Sequence, residues 1–346
     1  MSAGPESAGP EGAWPEGAGK GDPGLDDAPG QPFEVVTGGE AMGLLLASDD
    51  VPLRSASRFE ALVAGAESNL AIGLARLGHR VAYFGRVGAD VFGDRIRREL
   101  RGEGVDVSHL LTDSERPTGL LFRDSVRASP ITVLYRRAGS PATASSPADL
   151  PRALIQTARV LHVTGITAAL SDGAYDATLE SVRLARAAGV RVTFDPNVRL
   201  RLATPSRWAE IVDALARHSD VVLTGADEAE VFCPGADPVS WFAERGVETV
   251  VLKQGADGAT EHGPRSAAEP VHQGARAVPL VDPVGAGDAF DAGWISGWLR
   301  GLTAAERLRE ACAVASLVVA TRGDSNGLPE RDTLDRVLAE GADVER

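Results

Sequence analysis

Residues 281–293 read V-D-P-V-G-A-G-D-A-F-D-A-G, the most informative local pattern in the sequence. Pro283 cannot continue a helix from the preceding residues, whereas the residues from Ala289 onward are apolar and favour a helix. The small residues 285–287 therefore lead into a helix N-terminus. Unpaired backbone N–H groups at such a terminus bind anions, and the missing side chains let a phosphate approach the backbone. The pattern predicts a phosphate site with Asp288 in the first helical turn.

Asp288 is a candidate general base in this pattern. A carboxylate beside a bound phosphate can accept the proton of an attacking hydroxyl group. The alternative is that Asp288 serves only as a helix N-cap, because aspartate is also a preferred capping residue. The G-A-G-D run alone leaves these two interpretations equally open.

Composition and charge narrow the class of protein. The chain has 346 residues and a formal net charge of −14, and binding to nucleic-acid phosphates requires clustered cations. Only Lys20 and Lys253 among the 35 basic residues are lysines, and neither stands in a G-x-x-x-x-G-K-[ST] pattern. The sequence therefore excludes a P-loop and indicates small-molecule chemistry without a nucleic-acid partner.

Three further features bear on location. Hydrophobic residues make up 43%, but there is no run of about 18 uninterrupted apolar residues to cross a membrane. The start of the sequence lacks the basic and apolar stretches of a secretory signal. Cys233 and Cys312 form neither a disulfide framework nor a metal-ligand pattern, which is typical of a reducing compartment. We expect a cytoplasmic protein with no membrane partner.

The first part of the chain differs in composition from the rest. Residues 1–32 contain 14 Gly or Pro and repeat an A-G-P-E theme. Such a segment cannot bury enough apolar surface to offset its ordering entropy, so we expect a disordered Gly/Pro-rich tail. The composition changes at Phe33, where F-E-V-V-T reads as a strand. The predicted folded domain covers residues 33–340.

Strands and helices alternate along most of this domain. A helix at 69–77 ends before Gly78, and a strand at 80–85 follows. The same rhythm continues with strands at 160–163, 190–194, 221–223 and 249–252 and a helix near 172–188. The alternation predicts a mostly parallel sheet that helices cover on both faces.

Two stretches break this rhythm, at about 41–62 and 118–137, where short strands follow each other directly. They predict a small β lid. Ligands of open α/β sheets bind at the carboxyl ends of the strands, so a lid placed there would close on a substrate.

Two segments resemble the signatures of the ribokinase-like (PfkB) carbohydrate kinases. Residues 281–293 match D-[TP]-x-G-A-G-D-x-F-x-x-G at every fixed position, and A-G-A-E-S-N-L-A at 64–71 is similar to the glycines, asparagine and small-residue helix of the first signature. The resemblance runs from about Phe33 to Glu340. It implies an α/β, ribokinase-like three-layer sandwich with a mostly parallel central sheet and a small β lid.

The resemblance also implies roles for the residues around Asp288. Asp288 would be the catalytic base, and Gly285, Ala286 and Gly287 would bind the migrating phosphoryl group of ATP. The alternative of a capping role for Asp288 becomes the weaker one.

The nucleotide side is indicated by residues 251–259, V-L-K-Q-G-A-D-G-A, which resemble the strand and turn that hold ATP in this family. Residues 224–230 take the place of the family's N-x-x-E segment, whose glutamate helps to organise Mg²⁺. Gly225 replaces the asparagine, so only Glu228 is carried over as a metal residue. The implied ATP-binding residues are Gly225, Lys253, Gly255, Ala256, Gly258, Gly285, Ala286, Gly287 and Cys312. A monovalent cation such as K⁺ near Asp282 is a further expected cofactor.

Within the family, the closest resemblance is to the 2-keto-3-deoxygluconate kinases. It rests on Y-R-R-A-G-S at 135–140, H-V-T-G-I-T-A-A-L-S at 162–171, D-P-N-V-R at 195–199 and R-G-D at 322–324. The resemblance implies that the acceptor is a keto sugar acid. The implied substrate-binding residues are Gly65, Asn69, Tyr135, Arg137, Ile166, Arg199, Asp288 and Asp324.

The chemistry of a sugar acid agrees with this set. A planar guanidinium binds a carboxylate in bidentate fashion, which makes Arg137 and Arg199 the candidates for the acid group. Two positions depart from the family pattern. Cys312 stands where related kinases often have an asparagine near the adenine, and Leu121 stands where the lid often has an aromatic residue.

Several other functions remain open from the sequence. Kinases for fructose, ribose or 5-dehydro-2-deoxygluconate share the same signatures. A catalytically silent sugar-binding regulatory protein would keep the fold but would not need Asp288. A dinucleotide-dependent oxidoreductase is disfavoured because G-R-V-G-A-D at 85–90 lacks the third glycine of G-x-G-x-x-G. The expected partners are the sugar acid and ATP, and a homo-oligomer would form through the lid.

Overall fold

The computed structural model describes residues 32–48, 51–124, 131–263 and 269–343. Within these ranges the strands are β1 (Val35–Gly39), β2 (Met42–Ala47), β3 (Phe59–Ala64), β4 (Val81–Gly88), β5 (Asp106–Asp113), β6 (Leu120–Arg123), β7 (Val133–Arg136), β8 (Val160–Thr164), β9 (Arg191–Asp195), β10 (Val221–Gly225), β11 (Thr249–Lys253), β12 (Ala259–His262) and β13 (Val271–Gln273). The helices are α1 (Ala66–Arg76), α2 (Val91–Gly102), α3 (Arg152–Thr157), α4 (Gly165–Ala168), α5 (Asp172–Ala187), α6 (Pro205–Ala216), α7 (Ala229–Phe232), α8 (Pro238–Ala243), α9 (Ala286–Leu299), α10 (Ala304–Val319) and α11 (Arg331–Asp343).

The larger sheet has the strand order β13-β12-β11-β10-β9-β8-β1-β4-β5. Its neighbouring strands from β11 to β5 run parallel, and β12 and β13 pair antiparallel at one edge. The central strands β1 and β8 are buried along their whole length. Such continuous burial is expected of parallel strands that are covered on both faces.

Helices cover this sheet in two layers, each with its own apolar cluster. One cluster packs α1, α9 and α10 on the sheet and includes Trp294, and the other packs α5 and α6 and includes Trp208. Val35 and Val36 of β1 belong to different clusters because successive residues of a strand point to opposite faces. The predicted α/β sandwich with a mostly parallel sheet is confirmed.

The topology fixes the edge at which a ligand site is expected. The chain places β4 and β5 on one side of β1 and β8 to β11 on the other, so the order of strands switches between β1 and β8. Open α/β sheets bind ligands at the carboxyl ends of the strands near such a point. Asp195, Gly225 and Lys253 are the last residues of β9, β10 and β11, so they meet at this edge.

The smaller sheet has the strand order β3-β2-β6-β7. Its strands lie in the two stretches that break the β-α-β rhythm, although β3 extends to Ala64 and residues 125–130 are outside the described ranges. One face of the sheet packs an apolar cluster that includes Leu44, Leu46 and Leu121. The side chain of Leu121 is therefore part of the core of the small sheet.

The elements predicted by position are present with small shifts in their bounds. The first strand begins at Val35 instead of Phe33, and the first helix begins at Ala66 instead of Asn69. Of the predicted tail, residues 1–31 lie outside the described ranges. In the described part of the chain, no helix is long and apolar enough to cross a membrane.

Candidate active site

The anion turn, residues 283–287, ends at the start of the long helix α9. Gly285 has φ 85°, and a Cβ at this position would lie 2.3 Å from the carbonyl oxygen of Asp324. Only glycine fits this close approach without strain. The N–H of Ala286 donates to the carbonyl oxygen of Pro283 at 3.4 Å, and the turn leads into the start of α9, where the sequence predicts an anion site at Gly285, Ala286 and Gly287.

Asp288 lies in the first turn of α9, and two amide side chains hold it. Asn69 Nδ2 donates to Asp288 Oδ2 at 2.8 Å, and Asn197 Nδ2 donates to Oδ1 at 3.4 Å. Burial raises the pKa of Asp288, with a further rise from the charge of Asp195, while the Asn69 bond opposes it. A carboxylate with a raised pKa is a better proton acceptor, so this environment suits a general base.

The two amides also present acceptors. The buried Oδ1 atoms of Asn69 and Asn197 have no hydrogen-bond partner within the described residues. Asn197 has φ 43°, which is uncommon for a residue other than glycine and marks a constrained backbone. Both oxygens therefore have acceptor capacity that the described residues leave unused. The sequence indicates Asn69 as a site residue, but it gives Asn197 only as part of the D-P-N-V-R motif.

Lys253 lies among carboxylates at the carboxyl edge of the sheet. Its Nζ is 3.0 Å from Asp195 Oδ2 and 3.1 Å from Asp291 Oδ1. Although burial alone would lower the pKa of Lys253, the charges of Asp195, Asp291 and Glu228 outweigh burial and raise it. We call Asp195, Lys253 and Asp291 the core cluster. The predicted ATP-binding lysine is thus a partly buried ammonium close to the anion turn, 3.7 Å from where a Cβ on Gly287 would lie.

The pKa values of the two acids of the core cluster shift in opposite directions. Burial raises the pKa of Asp291 well above its usual value. Burial would also raise the pKa of Asp195, but Lys253 and a hydrogen bond with Asp291 lower it. The ammonium of Lys253 therefore favours the ionised form of Asp195.

A second cluster lies on the other side of the anion turn. The guanidinium of Arg123, at the end of β6, contacts Asp282 Oδ2 at 2.7 Å and Asp324 Oδ1 at 3.0 Å. We call these three residues the lid cluster. Burial raises the pKa of Asp324 to about 6, although Arg123 opposes this rise. The predicted sugar-binding Asp324 thus lies in an ion pair, with its backbone against Gly285.

Glu228 is the residue that fits a Mg²⁺ ion. Its carboxylate accepts from the backbone N–H of Val198 at 3.1 Å and of Gly225 at 3.3 Å. Burial and then the charge of Asp195 raise the pKa of Glu228 to about 7, so a nearby cation would relieve negative charge. In the described ranges no group of three or more His, Cys, Asp or Glu side chains could hold a metal.

The two predicted carboxylate-binding arginines have different surroundings. Arg199 is exposed, and its charge lowers the pKa of both Asp288 and Glu228. The side chain of Arg137 is 11% exposed and forms an ion pair with Glu40. Arg137 also lies 5.5 Å from the centre of the Tyr135 ring. Arg199 is thus open to a ligand, whereas Arg137 is held by an acid of its own chain.

A buried glutamate beside α4 is a feature that the sequence analysis missed. Glu67 Oε1 accepts from the hydroxyl groups of Thr164 and Thr167, both at 2.6 Å. Burial raises the pKa of Glu67 to about 7. Thr167 follows the predicted substrate residue Ile166, so Glu67 fixes the segment that carries it. The predicted Gly65 directly precedes α1, where a Cβ would lie 2.4 Å from the carbonyl oxygen of Glu40.

The remaining predicted nucleotide residues meet where β11, β13 and α10 come together. Gly255 belongs to the turn after β11, next to the exposed Ala256. A Cβ on Gly258 would lie 2.0 Å from the carbonyl oxygen of Gln273, and Cys312 Sγ is 3.9 Å from the same oxygen. These contacts bring the turn and the cysteine close to the same carbonyl oxygen.

The fold and this site define a class of protein: α/β enzymes that transfer a phosphoryl group from a nucleotide to a hydroxyl group beside a helix N-terminus. A family model described as "pfkB family carbohydrate kinase" matches residues 34–331 of the chain. The chain therefore belongs to the pfkB family of carbohydrate kinases, which confirms the resemblance predicted from the two signatures.

Curated relatives extend over most of the chain. The 2-dehydro-3-deoxygluconokinase of Bacillus subtilis is 37% identical over 317 residues, which cover 89% of this chain and 96% of the relative. The enzyme of the same name from Thermoproteus tenax is 36% identical over 320 residues, covering 88% and 94%. 2-Dehydro-3-deoxygluconate is another name for 2-keto-3-deoxygluconate.

Solved structures agree with the fold. A PfkB protein from Polaromonas sp. JS666 superposes with a TM-score of 0.78 at 36% identity, covering 88% of this chain and 99% of that one. An E. coli ribokinase II solved with ATP and Mg²⁺ superposes with a TM-score of 0.82 at 24% identity, and the match covers 89% of this chain and 99% of that one. A fructokinase from Vibrio cholerae, solved with fructose, ADP and a potassium ion, superposes with a TM-score of 0.78 at 25% identity. The match covers 90% of this chain and 100% of that one.

Proposed function

We propose that the protein transfers the γ-phosphoryl group of ATP to 2-keto-3-deoxygluconate and forms the 6-phosphate. This proposal rests on two residues of one site. Asp288 lies beside the anion turn, and the exposed guanidinium of Arg199 is near enough to lower the pKa of Asp288. The first suits a hydroxyl acceptor and the second suits a carboxylate. The names of the relatives at 36–37% identity support the same acceptor.

The proposed reaction begins with the terminal hydroxyl of the sugar acid next to Asp288. Asp288 accepts the hydroxyl proton while the oxygen attacks the γ-phosphorus in line. The N–H groups of Gly285, Ala286 and Gly287 offset the charge that spreads over the phosphoryl oxygens. Asn69 and Asn197 keep the carboxylate oriented throughout, because each donates to one of its two oxygens.

ATP and Mg²⁺ are the proposed cofactors. Bound Mg²⁺ would neutralise phosphate charge, and Glu228 is the residue that would hold it. Gly225, Gly255, Ala256, Gly258 and Cys312 are the proposed nucleotide contacts, and Lys253 supplies positive charge near the phosphates.

The acceptor side is proposed to combine both arginines with the small sheet acting as a lid. Arg199 would bind the carboxylate directly, and Arg137 would complete the site from the lid, with its orientation fixed by Glu40. Gly65 would let the sugar approach the backbone, with Tyr135 and Ile166 lining the pocket. Because Asp324 is paired with Arg123, we propose that it contacts sugar hydroxyls only through its unpaired edge.

The experiment that tests the proposal is an ADP-release assay over a panel of acceptors. The panel contains 2-keto-3-deoxygluconate, its galactose epimer, 5-dehydro-2-deoxygluconate, fructose and ribose. We expect the highest kcat/KM for 2-keto-3-deoxygluconate. A higher value for a neutral sugar would contradict the proposed acceptor, and no turnover with any sugar would favour a silent sugar-binding protein.

Assembly and location are proposed from the same family context. The small sheet exposes Phe59, Leu134 and Tyr135 at 37–41%, so we propose that a homo-oligomer forms through it. Light scattering of the wild-type protein and a Leu134→Lys variant would test this, and identical masses would contradict it.

We propose a cytoplasmic location, where ATP is available. Fractionation that placed the protein outside the cytoplasm would contradict it.

A further inference from the structure

The arginine at the end of the lid strand β6 is almost completely buried. The side chain of Arg123 is 1% exposed, and its Nη1 and Nη2 donate to Oδ1 and Oδ2 of Asp282 at 3.3 and 2.7 Å. Nη2 is also 3.0 Å from Asp324 Oδ1. One guanidinium thus joins two acids that are 159 and 201 residues away in the sequence but meet beside the anion turn.

The two acids support the anion turn from both sides. Asp282 Oδ1 accepts the N–H of Val284 at 3.2 Å, and its Oδ2 accepts the N–H of Gly323 at 3.1 Å. The backbone of Asp324 lies against Gly285, where it leaves no room for a side chain. The shape of the turn therefore depends on Asp282 and Asp324 remaining where they are.

Two buried carboxylates next to each other require a countercharge, because their mutual repulsion is weakly screened inside a protein. The side chains of Asp282 and Asp324 are only 7% and 8% exposed. A carboxylate pair of this kind would otherwise be a suitable place for a diffusible cation. In this chain both oxygens of Asp282 already face the guanidinium, so an additional K⁺ ion does not fit the donor set.

We propose that Arg123 is a built-in cation, which takes the place beside Asp282 that a monovalent metal ion would fill and holds the anion turn in shape without K⁺. The inference rests on the proposed kinase function and adds that the reaction is independent of monovalent cations. Arg123 is a positioning residue, because it acts on the phosphoryl group through residues 282–287. Since it belongs to β6, it also ties the small sheet to the turn.

The first test uses the wild-type protein. Turnover is measured while choline chloride is replaced by KCl up to about 0.1 M, so that screening stays constant. The melting temperature is recorded over the same series, which gives a readout that does not depend on the acceptor. We expect neither quantity to change. An increase in turnover of more than about tenfold, or a clear rise in melting temperature specific to K⁺, would overturn the proposal.

The second test removes the positive charge of Arg123 and then supplies a cation from solution. Arg123→Met keeps the length of the side chain but removes its charge, and we expect kcat to fall roughly 10- to 100-fold, as when an outer partner of a site is lost. Millimolar guanidinium or K⁺ should restore part of kcat and raise the melting temperature of this variant. Arg123→Lys keeps the charge and should remain independent of K⁺.

A matched control separates this role from the general effect of breaking a buried ion pair. Arg307 pairs with Glu261 between α10 and β12, with Nε 2.8 Å from Oε2. Arg307→Met should lower the melting temperature without any response to guanidinium or K⁺. The proposal is wrong if Arg123→Met keeps wild-type turnover, or if its response to added cations equals that of Arg307→Met. If Arg123→Met does not fold, the wild-type KCl series still decides the question.

Discussion

The core cluster and the lid cluster flank the same turn, and each places one cation between two carboxylates. In the core cluster, Lys253 comes from the central sheet, and its acids are at the end of β9 and inside α9. In the lid cluster, Arg123 comes from the small sheet, and its acids stand on either side of Gly285. The core cluster therefore links the larger sheet to α9, whereas the lid cluster links the small sheet to the segments before α9 and after α10.

This difference separates two contributions to the site. The core cluster sets the charge around Asp288, because Asp195 raises the pKa of Asp288 and Lys253 opposes this. The lid cluster sets the shape of the anion turn, because Asp282 accepts the N–H of Val284 in the turn and the N–H of Gly323 beside it, while the backbone of Asp324 packs against Gly285. Loss of the core cluster should change the charge around Asp288 and the stability of the fold. Loss of the lid cluster should change how the anion turn holds the phosphoryl group.

The largest expected effect comes from Asp288, which lies between the clusters. Asp288→Asn should lower kcat roughly 10²- to 10⁴-fold, the usual contribution of a positioned base. ATP binding should be retained, because the N–H groups of the turn are unchanged. Steady-state kinetics and nucleotide titration would check this. Turnover close to that of the wild type would remove Asp288 from the mechanism.

Lys253→Met breaks the core cluster. It leaves buried Asp195 and Asp291 without their ammonium, and the loss of one partner of a buried pair costs about 3–5 kcal/mol. The free energy of unfolding, measured with urea, should fall by that order. The control is Arg217→Met, which removes an exposed pair with Asp213 and should have little effect. Equal losses in the two variants would show that burial of the core cluster has no energetic consequence.

Glu67 sharpens the comparison, because hydroxyl groups rather than a cation hold this buried acid. Its pKa is raised from 4.5 to about 7, so its protonated form stabilises the fold below pH 4.5 and this stabilisation is lost as the pH rises through 7. Relative to Glu67→Gln, the wild type should lose about 3 kcal/mol of unfolding free energy across that window. Denaturation at pH 4.5 and pH 8 would measure it. If the difference in unfolding free energy between the wild type and Glu67→Gln were the same at both pH values, the raised pKa of Glu67 would be contradicted.

The arginines of the acceptor side should give the smallest effects. A hydrogen bond to a charged group contributes about 1.5–3 kcal/mol, so Arg199→Ala should lower kcat/KM for the sugar acid roughly 10- to 150-fold, mainly through KM. Its melting temperature should not change. Arg137→Ala should show a similar loss and also a lower melting temperature, because it leaves Glu40 buried without its partner.

Kinetics with fructose provide the control for both variants, since a neutral sugar has no carboxylate to bind. If both variants kept the wild-type ratio of kcat/KM between sugar acid and fructose, neither arginine would bind the acid group.

The sequence predicts the fold well because its main signals are local. Alternating strands and helices, and the small residues before Asp288, are read within a few residues of each other. The bounds shift by a few residues, as at Ala66, because the end of a helix depends on what packs against it.

The charge clusters could not be predicted in the same way. Arg123 and Asp282 are 159 residues apart in sequence and meet only in the folded chain. Asn197 was visible in the D-P-N-V-R motif, but its bond to Asp288 depends on the position of β9 relative to α9. Arg137 and Arg199 are both predicted from motifs to bind the acid group, but the ion pair between Arg137 and Glu40 joins residues distant in sequence and could not be predicted.

The most direct test of the central claim is a competition experiment. The protein receives ATP and equal concentrations of 2-keto-3-deoxygluconate, fructose and ribose, and the phosphorylated products are separated and quantified. Their initial ratio gives the ratio of kcat/KM values directly. We expect the 6-phosphate of the sugar acid to dominate. A product mixture dominated by fructose phosphate or ribose phosphate would contradict it.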